Sequence, residues 1–142
     1  MDNDPAVRNL MIVVGLLLGA GAMLMKHQQL QTPPEDDWFR VRVVEQPGVV
    51  VVKFGAEWCP PCRAMHATLN ELRHRKGSQL KIVEIDIDKK PHLAQHYGIR
   101  SIPRTMIFVD GQYKTGTGGS MPVQELERLV APYIENRFAA AQ

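Results

Sequence analysis

The feature that most constrains the fold of this sequence is a pair of cysteines, Cys59 and Cys62, just downstream of an apolar, β-branched run. Residues 49–54 read VVVVKF, a pattern typical of a strand buried on both faces of a sheet. The residues that follow have helical spacing of apolar side chains and predict a helix over 59–76 that stops at Gly77. The two thiols are therefore expected on one helical turn at the end of a buried strand.

These are the only two cysteines among 142 residues, which excludes a disulfide-stapled scaffold. Thiols at i and i+3 of a helical turn approach closely enough to form an exchangeable disulfide. Two other interpretations stay open: a zinc site with His66 as a third ligand, although no second C-x2-C follows, and an inert structural disulfide. We expect no metal and no bound cofactor, because a dithiol carries its own electrons.

The position of Cys59 predicts its reactivity. As the N-cap of the helix, its sulfur lies in the positive field of the helix N-terminus, which favours the thiolate. Pro60 and Pro61 would occupy the first helical positions, where their missing N–H groups leave no intrahelical bond unmade. The N–H of Cys62 remains available, and no His or Lys lies between the cysteines. We expect a reducing couple, in which Cys59 attacks a substrate disulfide and the more buried Cys62 resolves the mixed disulfide.

The rest of the chain alternates strands and helices. Asp36 and Asp37 predict the cap of a short helix that runs to about Glu45, and a turn follows at residues 47–48. Pro132 is expected to kink the last helix or to end it early. The other predicted elements are a strand over 80–88, a short helix over 91–97, a hairpin of strands over 105–109 and 112–115, and a helix that Pro122 opens. This order indicates an α/β fold with a mixed sheet.

The N-terminal part of the chain has a different character. Residues 10–25 contain no charged side chain and would span roughly 24 Å as a helix. They are either a short retained membrane anchor or a secretory signal cleaved near Ala22, and a buried core helix is a third alternative. We assign residues 1–9 to an N-terminal tail, 26–35 to a polar, partly extended linker and 36–142 to the globular domain.

The net charge argues against nucleic-acid binding, and the histidines are scattered along the chain. The net charge of +2, from 17 basic and 15 acidic residues, is too balanced to indicate nucleic-acid binding. A solvated helix face is the expected position of the scattered histidines, which are His66, His74, His92 and His96. The basic run at residues 73–76 is favourable at a helix C-terminus.

The chain resembles the thioredoxin family over residues 36–137. The matching motifs are, in chain order, FGAEWCPPC (54–62), IDID (85–88), YGIRSIP (97–103), Asp110-Gly111 and Gly119. The resemblance implies a thioredoxin fold and a thiol–disulfide oxidoreductase, mainly a protein-disulfide reductase, that needs no cofactor. The CPPC variant with an apolar N-terminal segment is also similar to membrane-tethered or exported bacterial thioredoxin-like proteins. Some of those serve cytochrome c maturation or keep envelope thiols reduced.

The resemblance also implies where a substrate binds. A cis peptide is expected before Pro103, packed against the cysteine pair, so that the Ile102 backbone forms a short edge for an extended substrate. Trp58 would form a wall of the site, and Gly119 would allow close approach of the substrate backbone. The full set of predicted substrate-binding residues is Trp58, Pro60, Pro61, Ile102, Pro103 and Gly119.

Four positions depart from the family pattern. The family usually has a buried Asp six residues before the first cysteine and a Lys facing it from the next strand; here those places hold Lys53 and Glu84, an inverted pair. We predict that Glu84 helps to move the proton of Cys62 with Lys53 as its counter-charge, the alternative being that both side chains extend to solvent. Gly55 replaces a frequent aromatic residue and Arg104 a common small one, and both changes alter the rim of the site.

Together these inferences predict a reductase of protein disulfides in the bacterial cell envelope. Residues 10–25 would lie in the inner membrane with the domain in the periplasm, or the protein would be soluble and periplasmic after cleavage. A membrane thiol electron donor would re-reduce it, and it would bind no nucleic acid. The alternatives are a disulfide oxidase or isomerase on the same fold, and a module that binds a metal or apo-cytochrome without turnover.

Overall fold

The computed structural model describes residues 4–140, which form two compact units that divide between Thr32 and Pro33. The first unit consists of helix α1 (Pro5–Gln31). The carboxylate of Asp4 caps this helix by accepting a hydrogen bond from the N–H of Ala6 at 3.0 Å. None of the α1 residues is buried.

Helix α1 extends beyond the apolar stretch at both ends. Residues 5–9 of the predicted tail are helical, and residues 1–3 lie outside the described part of the chain. Residues 26–31 of the predicted linker are also helical, because they contain no helix breaker, and the helix ends only just before the proline pair to which the extended part of the linker is assigned. With 27 residues, α1 is long and apolar enough to cross a membrane, although a signal sequence has the same properties.

The second unit is built on a four-stranded mixed sheet. Its strands are β1 (Val49–Gly55), β2 (Leu80–Asp86), β3 (Arg104–Val109) and β4 (Gln112–Gly118). Their order is β2-β1-β3-β4, with β1 parallel to β2 and antiparallel to β3. The predicted mixed sheet is therefore confirmed, and β4 runs three residues further than expected.

Helices flank this sheet. Asp36 caps α2 (Asp37–Phe39), which continues as a π-helical turn over Arg40–Val44, in agreement with the predicted short helix. The other helices are α3 (Pro60–Lys76), α4 (Pro91–His96) and α5 (Val123–Ala140). The fold class predicted from the sequence, an α/β domain with flanking helices preceded by an apolar helix, is confirmed.

The two faces of β1 contribute to two parts of the core. Val49 and Val51 pack with apolar residues of α3 and α5, among them Leu69 and Leu126. The alternate side chains point to the opposite face, as the two-residue period of a strand requires. On that opposite side lies an aromatic cluster of Phe39, Phe54, Tyr97 and Phe108. Every residue of β1 is buried, as its continuous apolar run predicted.

Of the two effects predicted for Pro132, an early end of α5 is wrong, and a kink stays a prediction. The helix continues through this residue to Ala140. Val130 and Ile134 on either side of the proline are buried in the core that α5 shares with α3. Their burial stabilises helical backbone on both sides of Pro132 and offsets the hydrogen bond that the proline removes.

Asp36 joins the start of the domain to the region of α4. One carboxylate oxygen accepts the N–H of Phe39 at 2.7 Å, and the other contacts Lys90 Nζ at 3.0 Å and His92 Nε2 at 2.6 Å. Burial opposes the negative charge, but these hydrogen bonds outweigh it and lower the pKa of Asp36 to about 2. His92 is thus half exposed, as expected, yet it also takes part in a tertiary contact.

We predict that Asp36→Ala lowers the free energy of unfolding by about 1–2 kcal/mol at neutral pH, because a helix cap and two ionic contacts are lost. The folded-state pKa of about 2 lies below the ordinary 3.8, so the stabilisation is complete above pH 3.8 and is lost as the pH falls towards 2. Denaturant unfolding of the full chain in mild detergent at several pH values measures both effects.

Asp37→Ala is the matched control. The Asp37 side chain is 92% exposed and pairs with Arg40 alone among the described residues, so its removal should change stability by less than about 0.5 kcal/mol. Equal losses in the two variants, or an Asp36 effect that persists at pH 2, would contradict the role assigned to Asp36.

Candidate active site

The cysteine pair lies where β1 passes into α3. Cys59 is the N-cap of α3 and forms a disulfide with Cys62, with their Cα atoms 5.2 Å apart. The N–H of Cys62 donates to Cys59 Sγ at 3.3 Å. Pro60 and Pro61 occupy the first helical positions and have no N–H to offer. The sulfur of Cys59 thus lies at the positive end of the helix, as the sequence predicted.

The disulfide is packed among apolar side chains. Cys59 is 4% exposed and Cys62 is 1% exposed, so Cys62 is the more deeply buried of the two. Both pack with Ala56, and Ile87 and Ile102 cover the same cluster. Both cysteines are thus largely shielded from solvent, Cys59 slightly less than Cys62.

The loop before β3 contains the predicted cis peptide, between Ile102 and Pro103. The carbonyl of Pro103 accepts the N–H of Gly119 at 2.9 Å, which joins this loop to the end of β4. Gly119 has a φ of +83°, and a side chain there would meet no atom within 4 Å. The space beside Gly119 is therefore open.

Trp58 lies at the rim, where it is 65% exposed. Its indole N–H donates to Asp88 at 2.8 Å, which holds the ring in place. Pro60 and Pro61 are exposed beside it. The sequence analysis did not single out Asp88 as a partner of Trp58, although it is the last residue of the IDID motif, which begins within β2.

Lys53 and Glu84 form an ion pair behind the cysteines. They are register partners on β1 and β2, and Lys53 Nζ lies 2.9 Å from Glu84 Oε2. Lys53 is only 8% exposed, so the alternative in which both side chains extend freely to solvent is wrong. Burial raises the pKa of Glu84, but hydrogen bonds from His66 and Lys53 outweigh burial and lower it overall.

His66 joins this pair, which the sequence analysis missed. Its Nδ1 lies 2.8 Å and 2.9 Å from the two carboxylate oxygens of Glu84. The ring is 54% exposed, as a solvated helix face predicts, but its inner edge contacts the buried pair. The available signal was its position four residues after Cys62, which puts both side chains on one face of α3.

A cavity of about 390 Å³ connects these groups with the buried sulfur. Its wall includes Cys62, Lys53, Gly55, His66 and Glu84. Four further charged residues also line it, which are Glu57, Arg63, Asp86 and Lys89. The cavity gives ionisable groups and water a way to Cys62 that does not pass Cys59. Within residues 4–140, no three His, Cys, Asp or Glu side chains are grouped to hold a metal ion.

Comparison with known proteins agrees with this geometry. A sequence profile of the thioredoxin family matches residues 31–132. The chain is 39% identical over 101 residues to the thioredoxin of Griffithsia pacifica, which covers 71% of this chain and 93% of the relative. The chain is 40% identical over 99 residues to thioredoxin 1 of Synechococcus elongatus, and this match covers 70% of this chain and 92% of the relative. The chain belongs to the thioredoxin family.

A redox-active cysteine pair in this family makes the protein a thiol–disulfide oxidoreductase, with disulfide-containing proteins as its class of substrate. Thioredoxin of Bacillus subtilis is 38% identical over 87 residues, covering 61% of this chain and 84% of the relative. The family match begins at residue 31, at the end of α1. The helix thus lies almost wholly outside the part of the chain that the match covers.

Gly55 makes room for the inverted pair in this thioredoxin-family protein. A Cβ at residue 55 would lie 2.9 Å from Lys53 Cε and 3.2 Å from Cys62 Sγ, both closer than ordinary contacts. Both atoms approach the same point, so the stem of Lys53 runs beside the thiol of Cys62. The absence of a side chain at residue 55 and the presence of a lysine at residue 53 are therefore coupled.

We predict that Gly55→Ala lowers the free energy of unfolding by about 1–3 kcal/mol, because the new methyl group displaces Lys53 from Glu84. The loss should be smaller by about 1 kcal/mol or more in a Lys53→Val background, where the methyl group meets no lysine stem. Denaturant unfolding of the oxidised full chain completes this double-mutant cycle.

Gly118→Ala serves as the control, since a Cβ there meets only Arg104 Nη1 at an ordinary 3.6 Å. It should leave stability within about 0.5 kcal/mol of the wild type. Additive effects of Gly55→Ala and Lys53→Val would contradict the coupling.

Proposed function

We propose that this protein reduces disulfides of protein substrates in the bacterial cell envelope, where α1 tethers it to the inner membrane or directs its export. The observation that carries the reductase direction is the surroundings of Cys59 Sγ. One backbone N–H, that of Cys62, donates to it, and two prolines remove the amides that would otherwise follow. A thiolate with so few donors is stabilised less than a strongly oxidising couple requires.

The reaction runs in two exchanges. The Cys59 thiolate attacks one sulfur of the substrate disulfide; a new S–S bond forms, and the other substrate sulfur leaves as a thiolate that takes up a proton. Cys62 then loses its proton and attacks Cys59 Sγ, which releases the second substrate thiol. Two electrons have passed from the dithiol to the substrate, and the Cys59–Cys62 disulfide remains.

Substrate binding is proposed at the Ile102–Pro103 loop. The Ile102 backbone would pair with an extended segment of the substrate, in the manner of a strand added to a sheet edge. The open surface at Gly119 leaves space for that segment, and Trp58 with Pro60 and Pro61 bounds it on the other side. Main-chain pairing of this kind accepts many substrate sequences, as a general reductase needs.

Proton transfer at Cys62 is proposed for the ion pair behind it. Glu84 has a lowered pKa, so it is ionised at neutral pH and available as a base. Lys53 lies beside both Glu84 and the Cys62 thiol and compensates the carboxylate charge. The cavity shared by the three residues allows a water molecule to carry the proton between them.

The envelope location is supported by α1, whose apolar side chains are exposed along its length. Burying them in a bilayer or removing them with a signal peptide both relieve this exposure. Each catalytic cycle leaves the protein oxidised, so a membrane thiol electron donor is proposed to re-reduce it. No cofactor takes part, because the electrons reside in the dithiol.

We predict that Cys62→Ser, in the full chain expressed in a bacterial host, accumulates mixed disulfides between Cys59 and its protein substrates, because the second exchange is blocked. Gel shifts that reverse with reductant detect the complexes, and mass spectrometry identifies the partners. Exported or membrane proteins among them would support the envelope location, and exclusively cytoplasmic partners would contradict it.

Cys59→Ser is the matched control and should trap nothing by this route, since the attacking thiol is missing. The direction of electron flow is tested on the wild-type protein by equilibration with glutathione. A midpoint near thioredoxin's −270 mV or so supports a reductase, whereas a midpoint near roughly −120 mV indicates an oxidase.

We predict that Glu84→Gln slows the second exchange on the order of 100-fold at neutral pH, because the base is lost. Lys53→Met should raise the pKa of Glu84, since burial is no longer offset by the ammonium group, and shift the acid limb of the pH–rate profile upwards. Stopped-flow release of the second thiol of an aromatic disulfide measures this step.

Lys81→Met, which removes an exposed lysine on β2, is the control and should leave the profile unchanged. If Glu84→Gln and Lys53→Met also give the wild-type profile, neither residue acts on Cys62 and the proposed proton transfer is wrong.

A further inference from the structure

His66 is held by contacts on both sides of its ring. On one side, Nδ1 lies within 2.9 Å of both carboxylate oxygens of Glu84. On the other, Nε2 lies 3.1 Å from Asn70 Nδ2. Arg73 Nη1 in turn lies 2.7 Å from Asn70 Oδ1. The residues at 66, 70 and 73 lie on one face of α3 and form a continuous row of contacts that ends at the buried ion pair.

This row assigns the proton on the imidazole. A guanidinium group only donates hydrogen bonds, so Arg73 selects the oxygen of the Asn70 amide and turns its NH₂ group towards His66. Nε2 of His66 must then accept, and the ring proton sits on Nδ1, from which it donates to Glu84. The neutral ring therefore satisfies every partner, whereas an imidazolium would set an N–H against the NH₂ group of Asn70.

We propose that His66 is a positioning residue for the second exchange, which acts on Cys62 through Glu84 and makes the rate of this exchange depend on the protonation of the imidazole. This inference rests on the proposed role of Glu84. With its proton on Nδ1, the neutral ring cannot take a proton from Glu84, so it orients the carboxylate and does not relay the proton.

The direction of the effect follows from charge. The titratable or charged groups that line the cavity with Glu84 are Lys53 on β1, Cys62, Arg63 and His66 on α3, Asp86 on β2, and Glu57 and Lys89 in the loops. The Cys62 thiol is the reacting group in every variant, and among the other side chains an imidazole is the one type that ordinarily changes charge between about pH 5 and 8. An added positive charge beside Glu84 makes it a weaker base, and loss of the Asn70 contact loosens the ring. The second exchange should therefore slow as the pH falls through this range.

The size of the effect can be estimated. A neighbouring imidazolium lowers the pKa of a carboxyl group by about one unit. If proton-transfer rates follow that change with a slope of about one half, the second exchange slows roughly threefold. The first exchange should have the same pH profile in the wild type and in His66→Asn, because its pH dependence comes from the Cys59 thiol and not from Glu84.

The test uses the full chain in detergent with a limiting amount of the disulfide 5,5′-dithiobis(2-nitrobenzoate), which releases one coloured thiolate on attack by Cys59 and a second on attack by Cys62. The rate of the second release is followed across the pH range. The wild type should show the threefold step. His66→Asn retains a donor at the place of Nδ1 without titrating, so it should react as the wild type does at pH 8 and lose the step.

Two further variants separate positioning from a general structural effect. His66→Ala should react several-fold more slowly at all pH values, and the asparagine variant should restore the rate at pH 8. Asn70→Asp provides an acceptor for a protonated Nε2 and should move the step to higher pH. His74→Asn, which removes an exposed histidine of the same helix, should behave as the wild type.

A step that persists in His66→Asn, or an asparagine variant no faster than His66→Ala, would overturn the inference. In either case a normal second release in the wild type leaves the proposed function intact. Absence of the second release from the wild-type protein would overturn both.

Discussion

A single backbone amide organises the chemistry of this protein, namely the N–H of Cys62 directed at the sulfur of Cys59. Two prolines remove the preceding helical amides, so this group carries the contact between the helix end and the sulfur of Cys59. Its direction is set by the axis of α3, whose buried side chains pack against β1 and α5. The position of the amide at the helix end therefore depends on the packing of apolar residues one to three turns away.

The inverted ion pair illustrates how a buried charge constrains its neighbours. A lysine in the centre of a sheet is tolerated only with a partner, and the parallel register of β1 and β2 puts Glu84 beside it. The lysine stem also needs space, which only a glycine at position 55 leaves. Lys53, Gly55 and Glu84 thus form one unit, and His66 extends that unit to the solvent-exposed face of α3.

Much of the architecture was predictable because it follows from local patterns. The β-branched run of β1, the helical stripe of α3 and the cap at Asp36 each encode an element within a few residues of chain. One local prediction, an early end of α5 at Pro132, is wrong because flanking residues are buried in the core. Residues 26–31 of the polar linker are helical because nothing interrupts α1 before the proline pair.

The sequence by itself determined the cysteine pair, its position at a helix end and the thioredoxin-like order of elements, because these depend on residues adjacent in the chain. Only the tertiary structure decided which charged groups surround Cys62. The ion pair joins residues 31 positions apart, and His66 reaches Glu84 across 18 positions. Such contacts arise when sheet register and helix packing bring distant segments together. The order of charged residues along the chain does not give the distance between them in space.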